Sequence, residues 1–392
     1  MKILIANPGS TSYKCKLFDM SGESLLFEAA VERIGDATGI YSYQFQNEEK
    51  KRRELQIPDF HSAVNLTLET LGAELSGQDL SAVGFKTVHA KGVTGCVELT
   101  EDVLQAMRDY LPLAPVHNQV YLTAISVFRD ILFDTPLYGL FETSFHAEIP
   151  PEAYLYGIPY EYYEKYGIRK YGFHGASHRY IGQRACELFV KEKKECKVIS
   201  CHLGGSSSVC AIKNGVSLDT SMGMSPQSGL LNATRTGDLD TYALLYLMEK
   251  EGLSIDETRK MLMTRGGVYG ISGSSGDMRD IESGMDKGSR RDALAFSTFA
   301  YYVKRYIGEY LAVLNGADVI AFTGGAGQNS VRLRTTILKD MDALGIHLDD
   351  EKNASNPKEG LISKDISPVK IAVIPTNEEL IVAREVKKGL DE

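Results

Sequence analysis

Short apolar runs alternate along the chain with longer segments whose apolar residues recur every three or four positions. The short runs predict strands at Ile3–Ala6, Ser12–Phe18, Ala82–Val88, Pro136–Phe141, Val198–Leu203, Ser207–Ile212, Val319–Thr323 and Ile371–Ile374. The longer period predicts helices at Phe60–Leu71, Asp102–Arg108, Gln119–Leu132, Ser177–Val190, Leu239–Glu249, Ile255–Met263, Arg291–Leu314 and Val331–Leu344. Strands interleaved with helices indicate an α/β architecture. The mixed-sign run Glu48-Glu49-Lys50-Lys51-Arg52-Arg53-Glu54 reads as a solvated turn beside hairpin strands.

One stretch of this pattern occurs twice. KILIANPGSTSYKCKLFD (2–19) and KVISCHLGGSSSVCAIKN (197–214) align without a gap, matching Lys2/Lys197, Gly9/Gly204, Ser12/Ser207 and Cys15/Cys210. Each is a strand, a Gly/Ser turn and a second strand. The spacing, about half the chain, predicts a duplicated architecture with one such hairpin in each half.

The length of 392 residues points to two domains, because a single core rarely grows beyond ~250–300 residues. A net charge of −9 excludes a basic nucleic-acid coat. No apolar run approaches the ~20 residues that cross a bilayer, and Met1–Ala6 meets Asn7-Pro8-Gly9 too soon for a secretory signal. A cytoplasmic protein without nucleic-acid or membrane partners is expected. The six cysteines form no Cys-x-x-Cys pair and read as small buried hydrophobes.

Candidate chemistry clusters in glycine-rich turns. Asn7–Ser12 followed by Lys14, and Gly204–Ser208, present backbone N–H groups at strand ends, where phosphate oxygens bind. A third cluster, Thr323–Asn329, lies between a buried strand and a helix, where α/β folds hold nucleotides. No Walker A loop occurs. Glu142 ends a strand between aromatics. Gly175 places His174 in a loop ahead of the next helix and His178 in its first turn, as a simple polar residue. Arg235 lies among small residues. Near the C-terminus, Thr376 and Glu379 have capping-box spacing, which leaves Glu378 available for a metal.

Together these segments resemble the acetate kinase family of carboxylate kinases. The matching blocks are Asn7–Lys14, Leu113–Asn118, Tyr171–His178, Asp219–Gly223, Thr234–Asp240, Asp277–Ile281, Thr323–Ser330 and Pro375–Leu380. The resemblance implies two ribonuclease-H-like domains of actin–hexokinase type around an active-site cleft. They would span residues 1–148, joined by the C-terminal helix 378–392, and residues 149–377, the nucleotide-binding and dimerisation domain. It implies direct in-line phosphoryl transfer from ATP to a short carboxylate, acetate or propionate by default, in a homodimer with Mg²⁺ or Mn²⁺. Asn7 and Glu378 would hold the metal. Ser10, Ser12 and Lys14 would line one phosphate cradle; His202, Gly204, Gly205 and Ser206 would meet the nucleotide phosphates. Asp277, Met278, Arg279, Gly325, Gly327 and Asn329 would surround the adenosine. His174, Arg235, Lys86 and Glu142 would be catalytic, and Val88, Val116, Phe173 and Pro226 would wall the acid's alkyl pocket.

The chain departs from the family pattern at the site itself. The family's His-Arg is here Phe85-Lys86, its Gly-Gly is Ala90-Lys91, and its Phe-Asp-Thr is Phe141-Glu142-Thr143. Its His-Leu-Gly-Asn-Gly is His202-Leu203-Gly204-Gly205-Ser206, and its Gly-Glu-Asn is Gly327-Gln328-Asn329. Lysine keeps arginine's charge but loses the planar fork. These changes leave room for a paralogue acting on a different acid, or a weakened nucleotide-binding protein.

Overall fold

The computed structural model describes residues 1–72, 80–113, 115–190 and 194–392, with the backbone alone for 115–117. They form two compact units, Met1–Ser144 with Asn377–Glu392, and Phe145–Thr376.

In the first unit, β1 (Lys2–Pro8), β2 (Ser12–Asp19), β3 (Ser24–Glu32), β4 (Gly39–Phe45), β5 (Lys51–Leu55), β6 (Leu80–Phe85), β7 (Cys96–Glu98) and β8 (Leu137–Leu140) make one sheet of order β5-β4-β3-β2-β1-β6-β8-β7. In the second, β9 (Lys197–His202), β10 (Ser208–Lys213), β11 (Val216–Thr220), β12 (Val319–Thr323), β13 (Gly360–Leu361) and β14 (Lys370–Val373) take the order β11-β10-β9-β12-β14-β13. The strands β3-β2-β1-β6-β8 and β11-β10-β9-β12-β14 occupy equivalent places. In both sheets the first three are antiparallel, and parallel partners then continue from β1 and β9. The repeat is thus a repeat of topology, with β1 and β9 central to their sheets.

Six of the described strands, β3, β4, β5, β7, β11 and β13, lie outside the runs read from the sequence. The charged run is not a turn: Lys51–Leu55 forms the edge strand β5, paired with β4. Charged side chains on an edge strand discourage pairing with a second sheet.

Each sheet packs its apolar face on helices. Leu4, Ala6, Tyr13 and Val83 join Val64, Ala124, Ile125 and Phe128 in the first core. Ile199, Cys201, Val209, Ile320 and Phe322 join Phe296, Phe299, Val303 and Ile307 of helix Arg290–Val313 in the second. The C-terminal helix Glu378–Asp391 lies on the opposite face of the first sheet. A Cβ on Gly84 would come within 2.9 Å of Ile5 and Val386 side chains, so glycine there lets the helix sit close. That approach brings Glu378 to Lys86 at the end of β6.

Two local readings are corrected. The C-terminal helix is capped by Asn377, whose side chain accepts from Leu380 N, and not by Thr376; Glu379 instead pairs with Lys16 at 3.4 Å. The cysteines are not all free thiols: Cys186 and Cys196 form a disulfide, because helix Gly175–Phe189 ends beside the start of β9. Among the described residues, no helix is long and apolar enough to cross a membrane.

Candidate active site

The first unit gathers its candidates at the carboxyl ends of β1 and β6. Asn7 stands on β1 directly opposite Lys14 on β2, and its side-chain oxygen accepts from the Tyr121 hydroxyl at 3.1 Å. Asn7, Lys14, Lys16 and Glu379 border a cavity of about 350 Å³. Ser10 lies in the turn between the strands and Ser12 opens β2, the turn being closed by Gly9 N donating to Ser12 O at 2.7 Å.

Just past β6, the Lys86 ammonium bridges two carboxylates, Glu142 at 3.2 Å and Glu378 in a shorter contact. Burial alone would lower the lysine pKa. Glu378 and then Glu142 outweigh it, so the pKa stands well above the ordinary lysine value and the ammonium stays charged. Glu142 is itself only 6% exposed, which makes this a buried charge cluster and not a surface ion pair. Val88, two residues on, is half-buried against the first core. The side chain of Val116 lies outside the described residues.

The second unit assembles its candidates around the β9–β10 turn. Gly204 N donates to Ser207 Oγ at 3.0 Å, Ser207 N donates to the Asn232 side chain at 2.6 Å, and Ala233 N donates to Gly205 O at 2.9 Å. The turn is thereby knitted to the loop carrying Arg235, whose guanidinium donates to Ser206 Oγ. Burial depresses the Arg235 pKa to about 10, which leaves it charged at neutral pH. His174 caps helix Gly175–Phe189 in a left-handed conformation, φ 56° and ψ 29°, costly for a residue with a Cβ. Its ring stacks on His202 at 4.4 Å, and its Nδ1 lies 2.8 Å from Ser208 Oγ. Phe173 is buried, and Pro226 is half-buried in the loop after β11.

Next to this turn lies a cavity of about 680 Å³ lined by Gly205, Asp277, Met278, Arg279, Gly325 and Asn329 among others. Gly327 is not on that lining; it lies beneath it, its N–H donating to Leu203 O at 3.2 Å. The third glycine cluster is itself a short helix, Gly324–Asn329. Gly324 has φ 76°, and a Cβ there would fall 2.6 Å from Leu203 O, so only glycine fits. Arg334, fully buried, donates to Gly327 O at 2.9 Å and Gln328 O at 2.7 Å, holding this helix against the cavity.

Sequence reasoning missed Tyr121, Arg334 and Asn232, which act through tertiary contacts that leave no local spacing signal. His178 stands in the first turn of helix Gly175–Phe189, as read from the sequence, and is wholly buried there, bonded to Ser200 and Ser208.

Burial also makes two histidines acid-sensitive. His146 Nε2 must carry a proton to donate to Phe173 O at 2.9 Å, and Ser217 Oγ meets Nδ1 at 2.8 Å. Burial pushes the His146 pKa down to about 4 and that of His178 well below the usual histidine value. Both stay neutral in the fold while the unfolded chain takes up protons below ~6.5, so acid removes stability. Urea unfolding is expected to lose about 2 kcal/mol per histidine between pH 6.5 and 5. In a His146→Gln variant, which cannot titrate there, the loss becomes smaller.

A glycine–serine turn tied to an arginine loop beside a cavity of about 680 Å³ is the arrangement expected of a nucleotide-dependent phosphotransferase. Residues 2–384 match the acetokinase family. An acetate kinase of Desulfitobacterium hafniense is 43% identical over 389 residues, covering 98% of each chain. One from Carboxydothermus hydrogenoformans is 44% identical over 391 residues, again with 98% of each covered. The crystal structure of Porphyromonas gingivalis acetate kinase superposes with a TM-score of 0.87 at 36% identity, covering 99% of both chains. A propionate kinase from Francisella tularensis gives 0.89 at 32% identity, covering 98% of both. The chain belongs to the acetokinase family of carboxylate kinases.

Proposed function

We propose that this chain is a Mg²⁺-dependent kinase that moves the γ-phosphoryl group of ATP onto acetate or propionate, giving an acyl phosphate. The observation that carries this reading is the convergence of His174, His202 and Arg235 on the β9–β10 turn next to the 680 Å³ cavity. Phosphoryl transfer needs alignment and charge neutralisation more than covalent help. Arg235, held by Ser206, offers a fixed cation to the equatorial phosphoryl oxygens. His174 offers a ring donor to the same group. The turn N–H groups and the cavity orient the nucleotide, and Lys86 holds the acceptor carboxylate.

Asn7 and Glu378 fit a hard cation, because both present oxygen and Mg²⁺ typically takes only one or two protein ligands beside phosphates and water. Among the described residues no group of three or more His, Cys, Asp or Glu is placed to hold a metal ion. When bound there, the ion would neutralise the negative charge of the phosphates. Dimerisation has support of its own. On helix Thr241–Glu251 no residue is buried, and Tyr242 is 80%, Leu245 58% and Tyr246 62% exposed, an apolar face suited to a second copy. The enzyme would act in the cytoplasm, where ATP is maintained.

Hydroxamate trapping with ATP, Mg²⁺ and acetate, propionate or butyrate tests the substrate assignment. Acetate and propionate should react best, with discrimination graded because each methylene contributes only ~1–3 kcal/mol. Val88→Ala is expected to lower KM for butyrate by about tenfold relative to acetate. Unchanged relative kcat/KM would remove Val88 from the acid pocket.

A further inference from the structure

His174 is joined to a buried chain of hydroxyl and imidazole groups that runs away from the reacting centre. Its Nδ1 lies 2.8 Å from Ser208 Oγ, and the same hydroxyl lies 2.7 Å from His178 Nε2. His178 Nδ1 lies 2.8 Å from Ser200 Oγ, on β9. Ser208, His178 and Ser200 are all fully buried. We propose that Ser200, His178 and Ser208 are positioning residues that fix the tautomer of His174, so that Nδ1 is bare and Nε2 carries the proton.

The number of protons available fixes the direction of the chain. A serine hydroxyl has one proton and a neutral imidazole one N–H. If Ser208 donates to His174 Nδ1, it accepts from His178 Nε2–H, and His178 Nδ1 accepts from Ser200. The protons of Ser200, His178 and Ser208, all fully buried, then each have an acceptor, and His174 carries its own proton on Nε2. In the reversed chain, His174 Nδ1–H donates to Ser208, Ser208 to His178 Nε2, and His178 Nδ1–H to Ser200. The Ser200 hydroxyl proton must then find another acceptor, and Ser200 Oγ has no other hydrogen-bond partner among the described residues. An unpaired buried donor is costly, so the chain runs outward from Ser200. His178 stays neutral throughout, because burial and then the neighbouring His146 and His202 disfavour its charged form.

The consequence rests on the reading of His174 as a phosphoryl-facing residue. A neutral ring with Nε2–H donates to an anionic phosphoryl oxygen, whereas the reversed tautomer would present a lone pair and repel it. No imidazolium is needed. The left-handed cap conformation of His174 and its stacking on His202 hold the ring, and the serine chain sets which nitrogen bears the proton.

Nitrogen-15 NMR of the full chain labelled at histidine reads the tautomer directly, with His174→Gln assigning the signal. The wild type without ligands at pH 8 is expected to show His174 as Nε2–H. Ser200→Ala should populate the Nδ1–H form and lower kcat with ATP, Mg²⁺ and acetate about tenfold, below the ~10²–10³-fold cost of deleting an oxyanion donor. KM for ATP should stay within about twofold. Ser200→Thr, which keeps the hydroxyl, should restore both tautomer and rate. A wild-type His174 in the Nδ1–H form overturns the proposal whether or not any variant folds, and so does a Ser200→Ala protein with unchanged tautomer. If the tautomer is as proposed but no acyl phosphate forms with any acid, the serine chain stands and the functional reading fails.

Discussion

Glu378→Gln is expected to lower kcat by about 10³-fold and to raise the Mg²⁺ concentration needed for half-maximal rate. The carboxylate would serve as a direct anionic oxygen ligand, and neutral glutamine keeps the shape while losing the charge. Loss of one preorganised charged group at a phosphoryl-transfer centre commonly costs ~10²–10³-fold. Some stability should be lost as well, because Lys86 gives up the closer of its two carboxylate partners in a buried cluster. Asn377 still caps the helix through Leu380 N, and Glu142 still pairs with Lys86 at 3.2 Å. Loss of the first-turn acid removes a further ~0.3–1 kcal/mol through the helix dipole. Steady-state kinetics against Mg²⁺, paired with thermal unfolding, separate the two roles. Full activity with a lowered melting temperature would make Glu378 a structural partner of Lys86 and a helix-end acid, and nothing more.

The second large effect concerns Lys86 and Glu142, where the acetate kinase pattern has arginine and aspartate. The structure joins them at 3.2 Å, so the two departures are expected to act as one. A shorter cation faces a longer carboxylate, so the lengthening of one side chain offsets the shortening of the other. Lys86→Arg alone forces a guanidinium against the full-length Glu142 in a buried cluster. Glu142→Asp alone opens a gap under the ammonium. Each is expected to lower kcat/KM for the preferred acid by about 10²-fold, since misplacement near 1 Å costs that much. The double variant should recover to within about tenfold of wild type, because groups sharing one site are non-additive. Independent, additive losses in the four-variant cycle would show that Lys86 and Glu142 changed separately.

This pairing also shows where sequence reading stops. The central strands were legible because β1, β2, β9, β10 and β12 are buried and apolar, and the repeat of 2–19 at 197–214 foreshadowed two sheets of matching topology. The flanking strands were not. β5 is Lys51-Arg52-Arg53-Glu54-Leu55, an edge strand whose charges mimic a solvated turn, and β3 and β4 lack a continuous apolar run. The candidate turns were recognisable from glycine and serine alone, since turn chemistry is local. The contacts that make them a site are not local. Asn232 reaching Ser207, Arg334 reaching Gly327 and Ser208 joining two histidines depend on chain segments brought together by folding. Thr376 has capping-box spacing with Glu379, yet the helix begins one residue later and Asn377 takes the cap. The Cys186–Cys196 bridge likewise follows from where a helix ends beside a strand, which spacing alone does not reveal.

Phosphorus-31 NMR of the wild-type protein with ATP, Mg²⁺ and acetate or propionate tests the central claim most directly. The account predicts loss of the γ-phosphate resonance of ATP with matching growth of ADP and of an acyl phosphate, dependent on the added acid. Hydrolysis of ATP to ADP and inorganic phosphate, with no acyl phosphate trapped and no dependence on either acid, would contradict it.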